Sequence, residues 1–574
     1  MLKKIICNKI FFILTAFLLL LLRIKLGRMV SILFIPTLSA DDALLVKYAD
    51  LHDHFITQQT LPSLEALVKN MGFPFFINFV SFIGLNFLDA ISIVWAVAAI
   101  TSVILFAKSA NNSNKFVWLA IYAIVLFTPA AFDYWCGVRF YRHILLTPMY
   151  FIFLNLTIIL FVSNSYGSKF SIKNLILFEI ILGIIFTETF YIKEDGAWLL
   201  AILVATTLAC FVFVICQKNF SKKEKYIRSG ALLLPLIIFW GGTNFYKHIN
   251  YKYFGVYEIN ARTCGEKGKW VESVYKIQSD NRTASVWAPA DAIVKAFEAS
   301  EKLRNSPKLL DWLLHPHGYS DDITVDPIKG DFLTWLSKDG MTKAEICNSV
   351  VEQENFFREV TKEIDLAFET GRLQKDSKIQ LVSSMGGMSL KEIFDLRKSV
   401  GRAYRIHVLL YKYEPGVFKE HYRHSKTPEH EKLIKNLSEM TKIDLYQKNN
   451  NVASTKKYVE RIFEFYSAVQ AILFIAAFIG TFWTLKKLIR REIQINSAEF
   501  FQWLITAGIL ILSLIYSLAI SWFCEFIFAI NTDIGFNSLK SYSLGLIPML
   551  SIFEILGSYL FYTELKNKFF SVRE

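Results

Sequence analysis

The stretch Lys9–Asp50 reads KIFFILTAFLLLLLRIKLGRMVSILFIPTLSADDALLVKYAD. Between Ile10 and Leu22 there is no charge and only one hydroxyl, Thr15. With its continuation to residue 30 the run supplies the roughly 20 mostly apolar residues that a bilayer-crossing helix needs. Lys3 and Lys4 precede it, as in a secretory signal, but Arg23, Lys25 and Arg28 follow before any small-residue cleavage site. The run therefore reads as an uncleaved anchor. Two adjacent carboxylates, Asp41 and Asp42, stand just past its exit.

Working outward, the same kind of run recurs. Ten spans are expected: 10–30, 85–107, 116–132, 144–163, 175–191, 196–216, 231–246, 464–485, 499–528 and 543–563. Composition agrees, because 53% of the 574 residues are hydrophobic and only 20% are charged. Soluble domains carry roughly 25% charge. Disorder, collagen and a disulfide-rich mini-domain are excluded on the same grounds. The expected fold class is an all-α polytopic membrane protein of about ten transmembrane helices, with a mainly helical extracytoplasmic insert between spans 7 and 8. Residues 1–246 form its N-terminal transmembrane module, 247–460 the soluble insert and 461–574 the C-terminal transmembrane module.

Net charge is +13, but 33 Lys/Arg against 29 Asp/Glu between Asn250 and Tyr458 leave that stretch with only +4. The remaining excess lies in short loops between apolar runs, which marks a cytoplasmic side rather than a nucleic-acid surface. Loops 108–115, 164–174, 217–229, 486–492 and 564–574 hold two, two, five, four and three Lys/Arg, against two in 133–143 and one in 192–195. The bias predicts both termini in the cytoplasm and the segments 36–84, 133–143 and 247–460 outside it. Arg23, Lys25 and Arg28 dissent, since they fall near the outer end of span 1.

The insert shows helical signals. Pro289 opens a helix to about Asn305. Val351, Phe357, Val360, Ile364 and Phe368 repeat at helical spacing before Gly371. Ser389 with Glu392 makes a capping-box pattern. An extracytoplasmic insert would permit a Cys264–Cys347 disulfide. His52-x-His54 and His315-x-His317 lack the i,i+3 or i,i+4 spacing that lets one helix face hold a metal. No Walker loop, Rossmann glycine pattern, GxSxG or HExxH occurs.

The chemistry-bearing residues gather at one predicted level, the outer face. Asp41 and Asp42 open an amphipathic segment, Ala43 to Ile56, expected to lie along the membrane surface with Leu44, Leu45, Tyr48 and Leu51 on one side. A carboxylate there can act as a general base toward a hydroxyl; one of the pair could equally be a helix N-cap. In the second outer loop Arg139 and Arg142, three apart and expected to share a helix face, match phosphate oxygens or lipid head groups; His143 follows. The third outer turn holds Glu194 and Asp195 beside Lys193, which reads as a solvated turn residue. Glu188 and Glu525 lie inside apolar runs, where a carboxylate usually faces a cavity or a partner.

Ser39-Ala-Asp-Asp-Ala-Leu-Leu-Val-Lys-Tyr-Ala-Asp50, Leu67-Val-Lys-Asn-Met-Gly-Phe-Pro-Phe-Phe-Ile77, Val138-Arg-Phe-Tyr-Arg142, Lys193-Glu-Asp-Gly-Ala-Trp-Leu-Leu200 and Asn250-Tyr-Lys-Tyr-Phe-Gly-Val256 carry a resemblance. With a weaker match at Gly330-Asp-Phe-Leu-Thr-Trp335, they make the chain similar to a group of bacterial GT-C-like proteins within the GT-C class of integral-membrane glycosyltransferases. The resemblance implies an inverting transfer of a sugar from a polyprenyl-phosphate donor to a glycan or lipid acceptor of the cell envelope, at the outer face of the cytoplasmic (inner) membrane. It implies that Asp41 or Asp42 is the catalytic base. It further implies that Arg139 and Arg142, with His143 beside them, hold the donor phosphate, and that Glu194 and Asp195 position the acceptor or a divalent cation; no cofactor is otherwise called for, and no nucleic acid. Many GT-C enzymes carry their soluble domain after the last span, and this chain departs from that order.

Two other classes stay open. A transporter or flippase for lipid-linked sugars would also use outer-face charges and aromatics, although transporters often show inverted repeats and broken helices near the midplane, and the sequence shows no internal symmetry and few midplane charges. A scaffold whose insert binds a surface partner would suit the near-neutral insert.

Overall fold

The computed structural model describes residues 9–37, 41–50, 64, 67–166, 170–316, 328–423, 425, 427–495, 497–527 and 533–571. Its elements are almost all helical. In chain order the N-terminal part comprises α1 (Lys9–Val30), α2 (Asp41–Ala49), α3 (Gly72–Phe82), α4 (Phe87–Ser109), α5 (Lys115–Leu126), α6 (His143–Ser165), α7 (Ile172–Ile192), α8 (Ala197–Cys216), α9 (Lys222–Ala231) and α10 (Leu234–Phe254). The chain closes with α17 (Val452–Ile489), α18 (Ala498–Ile527), α19 (Asp533–Tyr542) and α20 (Leu546–Ser571). Nine helices among the described residues are long and apolar enough to cross a membrane. Multi-pass helical membrane architecture follows from them.

The third expected span, 116–132, is shorter than drawn. Helix α5 stops at Leu126 and gives way to a 3-10 turn at Pro129–Ala131. Proline lacks the N–H that a continuing helix needs. Even so, α5 returns the chain from one end of the bundle to the other. At one end Lys108 donates to Ser163 (3.3 Å) and Tyr166 to the Ser109 carbonyl (3.0 Å), so the C-termini of α4 and α6 lie together. Helices α4 and α6 therefore run the same way, and α5 must run back.

Local sequence explains the helix starts. Asn86 and Ser171 cap α4 and α7 by accepting from Leu88 and Asn174 backbone N–H groups, which satisfies donors that have no partner within the helix. Gly255, at φ +72°, ends α10 in the left-handed conformation that glycine adopts without steric cost.

The insert has two allegiances. Helices α11 (Gly265–Lys276), α12 (Ala290–Ala299), α13 (Phe332–Lys343) and α14 (Val350–Glu369) enclose a core of Trp270, Trp287, Leu333, Phe357 and Ile364, which Trp522 of α18 joins. Helices α15 (Arg397–Val408) and α16 (Pro428–Thr441) instead bury Ala403, Ile406, Leu433, Ile434 and Leu437 in the main core of the bundle. Pro289 is the N-cap of α12, which ends at Ala299 rather than Asn305 because the chain turns at Ser300 into a separate short helix, Glu301–Arg304. Helix α14 ends before Gly371 (φ +74°), and Ser389 with Glu392 forms the expected capping box. Cys264 and Cys347 are free thiols, not a disulfide: Cys264 precedes α11 beside Thr263, while Cys347 is buried in the insert core. His52, His54 and His317 lie outside the described residues, and His315 is paired with Asp311.

Candidate active site: a carboxylate–guanidinium cluster

Four segments build the site. After α1 the chain runs extended through Leu33 and Phe34. Leu33 pairs with the 138–140 segment (Leu33 N–H to Val138 carbonyl 2.9 Å, Phe140 N–H to Leu33 carbonyl 2.7 Å), and Phe34 with 421–423 (Phe34 N–H to His421 carbonyl 2.8 Å). The Arg139 loop is thereby tied to the foot of α1. Asp133 anchors the loop's other side: it caps the backbone of Trp135 and Cys136 and forms a buried pair with Lys540 at 2.8 Å.

Segment 139–142 is not helical. Arg139 follows a π turn at Tyr134–Val138, and Arg142 precedes α6. The two arginines therefore do not share a helix face; they diverge around the Tyr141 ring, each guanidinium 5.0 Å from its centroid. Pairing with Leu33 holds the backbone extended at Arg139, whereas Arg142 already turns into α6 with helical dihedrals.

Asp41 and Asp42 occupy the first turn of α2, where the helix dipole favours anions. Neither lies on a membrane-surface helix as expected. Ala43, Leu45, Val46, Tyr48 and Ala49 are all buried, so both sides of α2 are packed within the protein, and residues 51–63 lie outside the described ones. Asp42 is fully buried and takes a two-pronged bond from Arg139 (Nε 3.0 Å, Nη2 2.5 Å). Asp41 keeps a third of its side chain exposed and accepts from Lys69 (2.8 Å) and from the Tyr141 hydroxyl (2.9 Å). Arg142 in turn donates to Tyr141 (2.6 Å) and to Glu194 (2.6 Å). Glu194 also accepts from the Asn70 backbone (3.1 Å), and Arg262 of the insert stands 3.5 Å from it and 3.5 Å from Asp331. A continuous chain of contacts thus joins α2, the Arg139 loop, the start of α3, the end of α7 and the insert.

Electrostatics separates the acids. Burial works against the charge on Asp41, but Lys69 and Arg142 outweigh it and hold the carboxyl below the usual range. Glu194 is held low in the same way by Arg142 and Arg262. In Asp42 burial prevails over Arg139 and pushes the carboxyl up to about 6. Burial lowers Lys69 to about 8, with Asp41 opposing the shift.

The remaining expected residues sit at the edge. His143 packs edge-on against Tyr141, with centroids 4.8 Å apart. Asp195 turns away from Glu194 to pair with Lys193 at 2.6 Å. Lys193 is not a solvated turn residue: it is 5% exposed, because its ammonium is covered by Asp195 and the Tyr542 ring. Glu188 is half-buried on α7, and the side chain of Glu525 lies outside the described ones.

Lys69, Tyr141, Arg262, Asp331 and Trp335 are members that reading for chemistry did not single out. Trp335 is ringed by Lys69 (4.9 Å), Arg262 (5.4 Å) and Lys338 (5.6 Å). Lys69 and Asp331 do fall within stretches 67–77 and 330–335, whose only signal was family likeness. The donor set does not suit a divalent cation. Each carboxylate of the cluster already faces Lys or Arg, and among the described residues no three His, Cys, Asp or Glu side chains converge.

No protein-family model, curated protein or solved structure matches this chain.

Proposed function

We propose that this chain is an inverting membrane glycosyltransferase that takes its sugar from a polyprenyl-phosphate donor and works at the non-cytoplasmic face. The observation that carries this is Asp41: a part-exposed carboxylate, kept ionised, set among Lys69, Arg142 and Arg262. Acceptor activation needs a base, and departure of a phosphate needs cations; both are within one contact network.

In the proposed reaction Asp41 takes the proton of the acceptor hydroxyl as its oxygen attacks the anomeric carbon. The bond to the phosphate oxygen breaks, and its electron pair leaves with the polyprenyl phosphate toward the cations. Fixed charges that meet developing charge in a dry site need no reorganisation. Phosphate charge arriving beside Lys69 and Arg142 would offset the field that holds Asp41 low, and so raise its proton affinity when the donor is present. Asp42 is a positioning residue, holding Arg139 and with it the loop. This narrows the base to Asp41. It also reassigns Arg139, expected on the phosphate, to Asp42.

A transporter would concentrate its polar groups near mid-membrane, whereas this cluster lies at helix ends and loops. The test is mass spectrometry of surface glycans from cells carrying the wild-type chain, Asp41→Asn, or no chain. The expected result is a glycan lacking one sugar in both of the last two. Glycans identical in all three reject the proposal.

A further inference from the structure

The cationic end of α1 contradicts the charge bias of every other loop, and its side chains divide the task. Arg23 turns inward: it is 3% exposed and stacks 4.4 Å over Phe132. Lys25 and Arg28 face outward. They continue, at helical spacing, the exposed apolar stripe of Ile10, Leu14, Phe17, Leu18 and Leu21, so one helix face is apolar for about three turns and then cationic.

A loop from the far end of the insert roofs that cationic turn. Asn449 fixes it, donating to the Met29 carbonyl (3.0 Å) and from its backbone to the Lys419 carbonyl (2.9 Å). Between roof and helix lies an open groove of about 460 Å³, lined by Leu21, Ile24, Lys25 and Arg28 of α1 and by Lys448 and Asn450 of the roof. That volume is in the range of small-molecule sites. Arg28 is paired with Asp89 yet its side chain stays 59% exposed, and Lys25 has no ion-pair partner among the described residues. Lys448 holds only a loose contact with Glu420, 3.7 Å apart and mostly exposed.

We propose that this groove binds one membrane lipid through an anionic phosphate headgroup, with the acyl chain laid along the apolar stripe of α1. Lysine and arginine donors meet the phosphate, the amide side chains of the roof add hydrogen bonds, and the stripe continues into the bilayer. The site is independent of the transferase reading. It gives the two outward cations at the end of span 1, Lys25 and Arg28, a role that charge bias alone leaves unexplained.

The test uses the purified full-length chain in mild detergent, titrated with fluorescent phosphatidylglycerol, with phosphatidylcholine of the same tails, and with inorganic phosphate as competitor. Phosphatidylglycerol is expected to bind at least tenfold tighter than phosphatidylcholine. Lys25→Ala with Lys448→Ala should erase that preference, since a lysine near a headgroup is worth about 1 kcal/mol, or roughly thirtyfold for two. Lys25→Arg with Lys448→Arg should keep it, as should Lys222→Ala with Lys223→Ala on α9. Equal binding of both lipids, an unaltered preference in the first double variant, loss in the α9 variant, or displacement by phosphate at the lipid's own concentration would each overturn the proposal.

Discussion

Asp41 and Asp42 are neighbours in sequence with opposite fates. The helix turn directs Asp42 into the interior, where only the two-pronged bond from Arg139 makes an ionised carboxylate tolerable. Asp41 looks toward Lys69 and the partly open side of the cluster. Replacing Asp41 by Asn is expected to leave the fold intact and lower sugar transfer by roughly a hundredfold to ten-thousandfold, the usual worth of a general base; a radiolabel transfer assay on membranes normalised for folded protein checks it. Asp42 supplies the pH dependence. Below about pH 6 it takes up a proton, loses its charge and weakens its hold on Arg139, so transfer should rise through that pH and level off above it. In Asp42→Asn that rise should vanish and the plateau should fall. A rate–pH profile in which the variant keeps the wild-type inflection would contradict this.

At the scale of elements, close backbone approach sets the geometry. Helix α3 begins at Gly72, where an added Cβ would stand 2.6 Å from the Tyr191 carbonyl carbon at the end of α7. The same contact brings Asn70 to Glu194. Gly72→Ala must push α3 from α7, because backbone cannot yield as a side chain does. A loss of about 1–3 kcal/mol is expected, as for other overpacked sites, read as a lower midpoint in thermal unfolding with transfer falling in parallel. A midpoint equal to wild type would show that the two helices are not in tight register. Much about these elements was legible beforehand. The capping box at Ser389, the stop at Gly371 and nearly all the spans rest on neighbouring residues alone, and local patterns carry them. The conformation of 139–142 was not legible, because the extended backbone at Arg139 comes from pairing with Leu33, more than a hundred positions earlier. Helix α2 was misjudged as a surface element for the same reason: the partners on its second side, α3 and α16, come from elsewhere in the chain.

For the whole molecule, the cluster is also one of the joints between the bundle and the insert. Arg262 of the insert stands 3.5 Å from Glu194, and the Ala261 N–H bonds the Leu67 carbonyl at 2.8 Å. Arg262→Ala is expected to reduce transfer at least tenfold while the main core keeps its unfolding midpoint, since the insert's ion pair with Glu194 is lost but Arg142 still holds that carboxylate. Equal activity would remove the insert from the site. The joint should also be acid-sensitive. Asp41 and Glu194 are both held below their ordinary values, so the stability they add is present above about pH 4.5 and is lost as pH falls further. Thermal midpoints should drop below about pH 4.5, whereas between pH 7 and 5 the raised carboxyl of Asp42 works in the opposite direction. Glu194→Gln should start lower, because a buried arginine loses its partner, and fall less.

The sequence by itself determined that this chain is a bundle of apolar helices and which ionisable residues stand out from it, since hydrophobic runs, caps and charge excess depend on near neighbours. Tertiary structure alone decided that Asp42 faces Arg139, that Lys69, Arg262 and Asp331 join the cluster, and that Arg23 points inward while Lys25 does not. Those outcomes depend on contacts between residues far apart in the chain. Such contacts form only when buried charges must find partners and packed helices must fit, and no local pattern records that constraint.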